Sequence, residues 1–300
     1  MQEVYYQRYG YIGLPSKIFK EEPIHIKNSL DFLDLILNAI TYNIDHGINF
    51  LCLDTSEFSD LNFLKDFEFD EENPKVSKTI EKIHGILKKN DFRVCFLIPK
   101  DYFLASQLEG VGEETSLYLE RISMILDLLG QRGRSIIVRI GSAYGNRKST
   151  LVTFNERLLE LTESCLKKII VVNDEKPSLF SVTDLISGCY YISGIPVCFR
   201  FLNHFFNDGG LNVREAFFLS CSTWKFGSNP IIIHAEPSEV DDSGIPTSPK
   251  PASFIERRIP TFGLFPDVLI DSAEKELACI KYMSEKNKLK PIVINKKNDK

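Results

Sequence analysis

Eight short runs rich in β-branched and aromatic residues, each separated from the next by an amphipathic stretch, constrain this chain more than any other feature. They fall at 4–12, 49–54, 93–98, 135–140, 168–172, 196–201, 230–234 and 268–271. Most are continuously apolar rather than alternating, the pattern of parallel strands covered on both faces. The intervening helix candidates are 30–46, 76–89, 115–129, 151–166, 182–192, 213–221 and 273–284. In the first, Leu30, Leu33, Leu37 and Ile40 make one stripe and Gly47 is the stop. Ser149 or Thr150 is the expected cap of the fourth. Ser181 with Asp184 three residues on resembles a capping box for the fifth.

This alternation fits a closed barrel or a doubly wound sheet. Eight strands within 300 residues favour a single-domain (β/α)8 barrel of the TIM type. The barrel is expected over 1–284, followed by a polar, lysine-rich and frayed tail over 285–300. Two segments read as irregular: acidic 56–75, and 238–260 with Pro246, Pro249, Pro251 and Pro260, expected as a long loop over one mouth. In such a fold the working groups sit at the carboxyl ends of the strands.

The formal net charge of −5 excludes a broadly basic nucleic-acid binder but leaves room for a local basic groove. The seven cysteines are scattered without a CxxC pair, so they read as reduced, buried residues. No apolar run reaches the roughly 20 residues that span a bilayer, and the first residues lack a signal-peptide pattern. The expectation is an intracellular, soluble protein. Walker A, GxGxxG, GxSxG and HExxH motifs are absent.

The strand ends carry a series of motifs: Asn43-Ile44-Asp45-His46-Gly47; Ile98-Pro99-Lys100-Asp101-Tyr102; Arg139-Ile140-Gly141-Ser142-Ala143-Tyr144-Gly145-Asn146-Arg147; Val172-Asn173-Asp174-Glu175; Arg200-Phe201-Leu202-Asn203-His204; Thr223-Trp224; and Ile231-Ile232-Ile233-His234. In order and spacing, over roughly 5–275, the series resembles the UV-damage endonucleases. Those are TIM-barrel, metal-dependent DNA-repair enzymes with corresponding signatures HG, HPGQY, HxGGxYGxK, ENDE, DxxHH, TW and a strand ending in His.

The departures fall on metal-binding positions. The resemblance implies histidine, histidine, glutamate, aspartate and histidine where Ile98, Arg139, Val172, Arg200 and Asn203 stand. His234 and Asp271 are the residual metal-ligand candidates. His204 matches the second histidine of its motif. Isoleucine and valine offer no donor, and two guanidinium groups repel a cation. The family's divalent metals, such as manganese, are therefore not expected to assemble here.

Arg139 and Arg200 are expected to pair with Asp271 or Glu236, or to clamp a phosphate. The resemblance places Asp101 and Tyr102 at a lesion-probing wedge and Tyr11 in the DNA groove. Arg257-Arg258 is the basic pair best placed for phosphate contact. Two roles follow for a partner that would be damaged double-stranded DNA: binding with lost or weakened incision, or incision by a rearranged site using His234, Asp271, Glu236 or Asp174. A third is a protein-interaction scaffold without DNA.

Overall fold

Parallel pairing runs unbroken round the computed structural model, which describes residues 7–20, 23–58 and 73–291. The strands β1 (Tyr9–Ile12), β2 (Phe50–Asp54), β3 (Arg93–Leu97), β4 (Ile136–Val138), β5 (Ile169–Val172), β6 (Val197–Arg200), β7 (Ile231–His234) and β8 (Asp267–Ile270) pair in sequence order, and β8 closes on β1. The fold is a (β/α)8 barrel. The helices are α1 (Ser29–Asp45), α2 (Pro74–Lys89), α3 (Val111–Leu128), α4 (Arg147–Leu159), α5 (Glu163–Leu166), α6 (Val182–Leu185), α7 (Phe201–Phe206), α8 (Val213–Ser222) and α9 (Lys275–Glu285). A π turn, Ile186–Tyr190, extends α6.

Strand alternation sorts the core into two sets. Phe50, Cys52, Cys95, Leu97, Ile137, Ile170, Val172, Cys198, Ile231, Ile233 and Leu269 fill the barrel interior. Their neighbours Leu51, Phe96, Ile136, Val138, Val171, Phe199, Ile232 and Ile270 pack outward under the helices. All seven cysteines are free and buried, as expected of small apolar residues. Gly10 sits where a side chain would collide with β2, since an added Cβ would lie 2.1 Å from the Phe50 carbonyl oxygen.

The amino end of the barrel is plugged. Asp267, fully buried, accepts from Arg8 at 3.0 Å and Arg93 at 2.6 Å, and the Arg93 guanidinium lies 5.8 Å from the Trp224 ring. Trp224 donates its indole N–H to the Val197 carbonyl, and the Thr223 hydroxyl accepts from the Val197 N–H. The Thr223-Trp224 motif therefore serves the closed end.

Several local expectations are corrected. The buried face of α1 centres on Ile36 and Ala39, because Leu30 and Leu37 are only half-buried. Asn146, not Ser149 or Thr150, caps α4, accepting from the Lys148 and Ser149 N–H groups. The 151–166 candidate is two helices, with Thr162 capping the second. The Ser181–Asp184 capping box is present. The run at 196–201 ends as strand at Arg200, and Phe201 opens α7.

In 286–291, Leu289 lies against the core and the Lys290 carbonyl accepts from the Arg258 N–H, while Asn287, Lys288, Lys290 and Pro291 are exposed. Residues 4–6 of the first run, 59–72 of the acidic segment and 292–300 of the tail lie outside the described residues. Among the described residues no helix is long and apolar enough to cross a membrane.

Candidate site at the carboxyl ends of the strands

The inward parity of each strand fixes which side chains enter the open mouth. Counting on by two from Cys52, Ile137, Val172, Cys198 and Leu269 gives Asp54, Arg139, Asp174, Arg200 and Asp271. The layer above the apolar interior is thus made of charges, two cationic and three anionic. Arg139 and Arg200 are both nearly buried, with 10% and 14% of their side chains exposed.

Arg200 has a firm partner. Its Nη2 donates to the Asp271 carboxylate. Its backbone is held by Asn173, whose Oδ1 accepts from the Arg200 N–H at 2.8 Å and whose Nδ2 donates to the Arg200 carbonyl at 3.1 Å. Asn203 in turn donates to the Asn173 carbonyl, and Asn207 to the Asp174 carbonyl. These asparagines lock the loop after β5 to the loop after β6.

Arg139 is held much less well. Its Nε lies 3.9 Å from Asp174 Oδ1, too far for a hydrogen bond. The Arg139 Nε, the Asp174 Oδ2 and the Arg200 Nε are all buried without a hydrogen-bond partner. Burial pushes the Arg139 guanidinium below its ordinary range, and the positive charge of Arg200 pushes it further. Burial also pushes the Asp174 carboxyl up to about 7, against the pull of Arg139 and with reinforcement from Glu175. Burial thus disfavours the ionised Asp174 carboxylate, since the attraction of the Arg139 guanidinium across 3.9 Å does not offset its loss of water.

His234 does not face the mouth. Ile231 and Ile233 point inward, so the alternate residue His234 points outward, edge-on to the Phe201 ring with centroids 5.2 Å apart. Both ring nitrogens are buried without a partner, and burial alone pushes the imidazole down to about 3. Asp271, committed to Arg200, follows β8 on the inward side, so the two residual ligand candidates point to opposite sides of the wall. His204 packs 5.2 Å from the Phe199 ring.

Glu236, expected as an arginine partner, instead accepts from the backbone N–H groups of Glu256 and Arg257. Among the described residues no three His, Cys, Asp or Glu side chains are placed to hold a metal ion. The residues present do not fit a divalent-metal centre.

The expected DNA-facing residues separate. Asp101 is exposed after β3, and Tyr102 is half-buried with its ring 4.5 Å from that of Tyr118. Tyr11 is fully buried and donates to Asn43 Oδ1 at 2.9 Å, so it offers no face to a base. Arg257 is exposed near Glu236. Arg258 lies with Tyr282 and with Tyr9, the first residue of β1, at the opposite end from the mouth. Within the 235–266 loop, the stretch around 256–258 lies along the outer wall, where Lys281 on α9 meets Glu256 at 2.7 Å and Arg258 lies beside Tyr9 and Tyr282.

Gly141 sets the turn after β4. Its φ is +103°, and an added Cβ would lie 2.5 Å from the Phe103 ring. Asp54 belongs to none of the sequence motifs, yet it closes the inward series Phe50, Cys52, Asp54. The continuously apolar run of β2 hides that alternation in the sequence.

The family described as UV-endonuclease UvdE matches residues 23–298. The UV DNA damage endonuclease of Clostridium perfringens is 24% identical over 277 residues, 89% of this chain and 63% of that protein. The Bacillus thuringiensis UV DNA damage endonuclease is 23% identical over 273 residues, 87% of this chain and 82% of its own. The chain therefore spans less than two thirds of the Clostridium relative. Among solved structures, SacUVDE superposes with a TM-score of 0.76 at 23% identity, covering 95% of this chain and 100% of that one. Endonuclease IV from Thermus thermophilus gives 0.62 at 10% identity, covering 94% and 98%. These likenesses show the fold.

Proposed function

The chain belongs to the UV-endonuclease UvdE family, and on that premise we propose that it engages damaged double-stranded DNA without metal-dependent incision. Family membership supports a DNA-repair role. The observation that carries the rest is the pair Arg139 and Arg200 at the inward strand ends, with Asp271 already committed to Arg200. Metal-assisted phosphodiester hydrolysis needs several oxygen or nitrogen donors converging on the ions that make hydroxide and neutralise the phosphate. Two permanent cations in the same layer oppose such ions by direct repulsion.

The residues left to do the work are those of a binder. Tyr102 presents a ring beside the mouth that is capable of stacking on an exposed base, at about 1–3 kcal/mol per base. Exposed Arg257 offers a phosphate contact on the flank, while the buried Tyr11 and distant Arg258 do not contribute.

Two assays test this at one stated salt concentration. Fluorescence anisotropy with irradiated and intact duplexes is expected to favour the irradiated one, and Tyr102→Ala to remove about tenfold of that preference. Irradiated plasmid incubated with Mn2+ is expected to stay unnicked. Lesion-dependent nicking that Asp271→Ala abolishes would restore the endonuclease. Equal affinity for both duplexes would point to a protein scaffold.

A further inference from the structure

We propose that the carboxyl end of the barrel is a binding site for a phosphate-class oxyanion, held between the guanidinium groups of Arg139 and Arg200. The inference rests on the reading that this layer does not gather metal ions. It adds what the layer takes instead.

Three buried polar atoms of this layer have no partner: Arg139 Nε, Arg200 Nε and Asp174 Oδ2. A guanidinium carries five N–H donors in a planar fork that matches the spacing of oxyanion oxygens. Arg139 is nine-tenths buried, and its 3.9 Å contact with Asp174 leaves its Nε–H without an acceptor. Arg200 is tethered through Nη2 to Asp271, while its buried Nε–H has no acceptor.

The two cations also act on each other, and burial makes that repulsion stronger than it would be in water. A water molecule could accept from one Nε–H but would not offset the like charges. An oxyanion does both. It accepts from both arginines and supplies the negative charge that the long Arg139–Asp174 contact fails to supply.

Asp174 completes the site. It faces Arg139 from β4 and Arg200 from β6, with Glu175 beside it on its own loop. When protonated, its Oδ2 turns from an orphaned acceptor into a donor for the ligand. The chemistry is shared by a DNA phosphodiester and by free phosphate, and the test separates them.

Calorimetry on chelator-treated protein in a phosphate-free buffer would titrate inorganic phosphate, the dinucleotide dTpdT with its single phosphodiester, and Mn2+ alone. Saturable uptake of one oxyanion per chain is expected, with Arg139→Gln weakening it at least tenfold. Phosphate alone binding marks a free-anion site, and dTpdT alone marks a backbone contact.

Should Arg139→Gln not fold, Asp174→Asn carries the same question. By removing the adjacent negative charge it is expected to tighten binding several-fold at pH 8, and unchanged or weaker binding there overturns the site. Stoichiometric Mn2+ uptake overturns the metal-free reading on which the site rests. With no Mn2+ uptake, the absence of oxyanion binding, or equal binding by Arg139→Gln, overturns the oxyanion site alone.

Discussion

Arg139 and Asp174 face each other from adjacent strand ends with 3.9 Å between Nε and Oδ1 and no hydrogen bond between them. The distance has a thermodynamic consequence. Asp174 titrates in the folded protein near 7, raised chiefly by burial, whereas an unfolded aspartate titrates near 3.8. The usual carboxylate case is inverted. Between these values the folded chain binds the proton more tightly than the unfolded one, so this group's contribution to stability falls as pH rises from about 4 through 7.

Asparagine mimics the protonated side chain and cannot ionise. Relative to wild type, Asp174→Asn should gain more than about 1 kcal/mol of stability between pH 5 and pH 8, since each tenfold difference in proton affinity is worth about 1.4 kcal/mol. Urea unfolding in phosphate-free buffer measures it. Parallel pH profiles for the two proteins would show that Asp174 is ionised throughout.

The Arg200–Asp271 pair predicts a different pattern. Each side chain is about 85% covered, so removing one charge strands the other. Asp271→Asn is expected to cost about 3 kcal/mol, the scale for breaking a buried pair. Arg200→Met with Asp271→Leu should recover most of that loss, since neither charge is then left behind. A single substitution costing under about 1 kcal/mol in urea unfolding would show that solvent screens the pair.

Gly141 tests the turn on which Arg139 stands. At φ +103° an alanine is strained by about 1–3 kcal/mol, and its Cβ would also meet the Phe103 ring at 2.5 Å. Gly141→Ala should therefore lower the melting temperature by several degrees. The same change in a Phe103→Leu background should cost less, because only the backbone strain remains. Equal costs in both backgrounds would place the whole effect in φ.

The barrel was legible in the chain because eight apolar runs and their spacing leave few alternatives, and the charged layer was legible because Arg139 and Arg200 stand at motif positions. The direction of each strand-end side chain was not. A continuously apolar strand is buried on both faces, so its sequence hides which parity points inward. For that reason His234 and Tyr11 read as mouth residues although both face the helices. Composition marked 238–260 as a loop but says nothing of its course. At 256–257 the loop is held by Glu236, which accepts from both backbone N–H groups, and by Lys281, which meets Glu256. Asp174 was visible as part of a loop motif, but its raised carboxyl depends on burial, which only packing supplies.

His234 offers the sharpest contrast between a ligand and a core residue. Its neutral ring lies against Phe201, and burial holds the imidazole near 3 against an ordinary 6.5. A base with a depressed folded value carries no penalty above 6.5. The penalty grows as pH falls toward 3, because only the unfolded chain takes up the proton. By pH 4 it amounts to about 3 kcal/mol, at about 1.4 kcal/mol for each step of one in pH. His234→Phe keeps an aromatic ring, removes both unpartnered nitrogens and cannot titrate. It should be within about 1 kcal/mol of wild type at pH 7 and clearly more stable at pH 4, with a flattened acid limb in thermal denaturation. A ligand histidine predicts the reverse: Mn2+ would raise the melting temperature of wild type and not of His234→Phe, and that result would return His234 to the mouth.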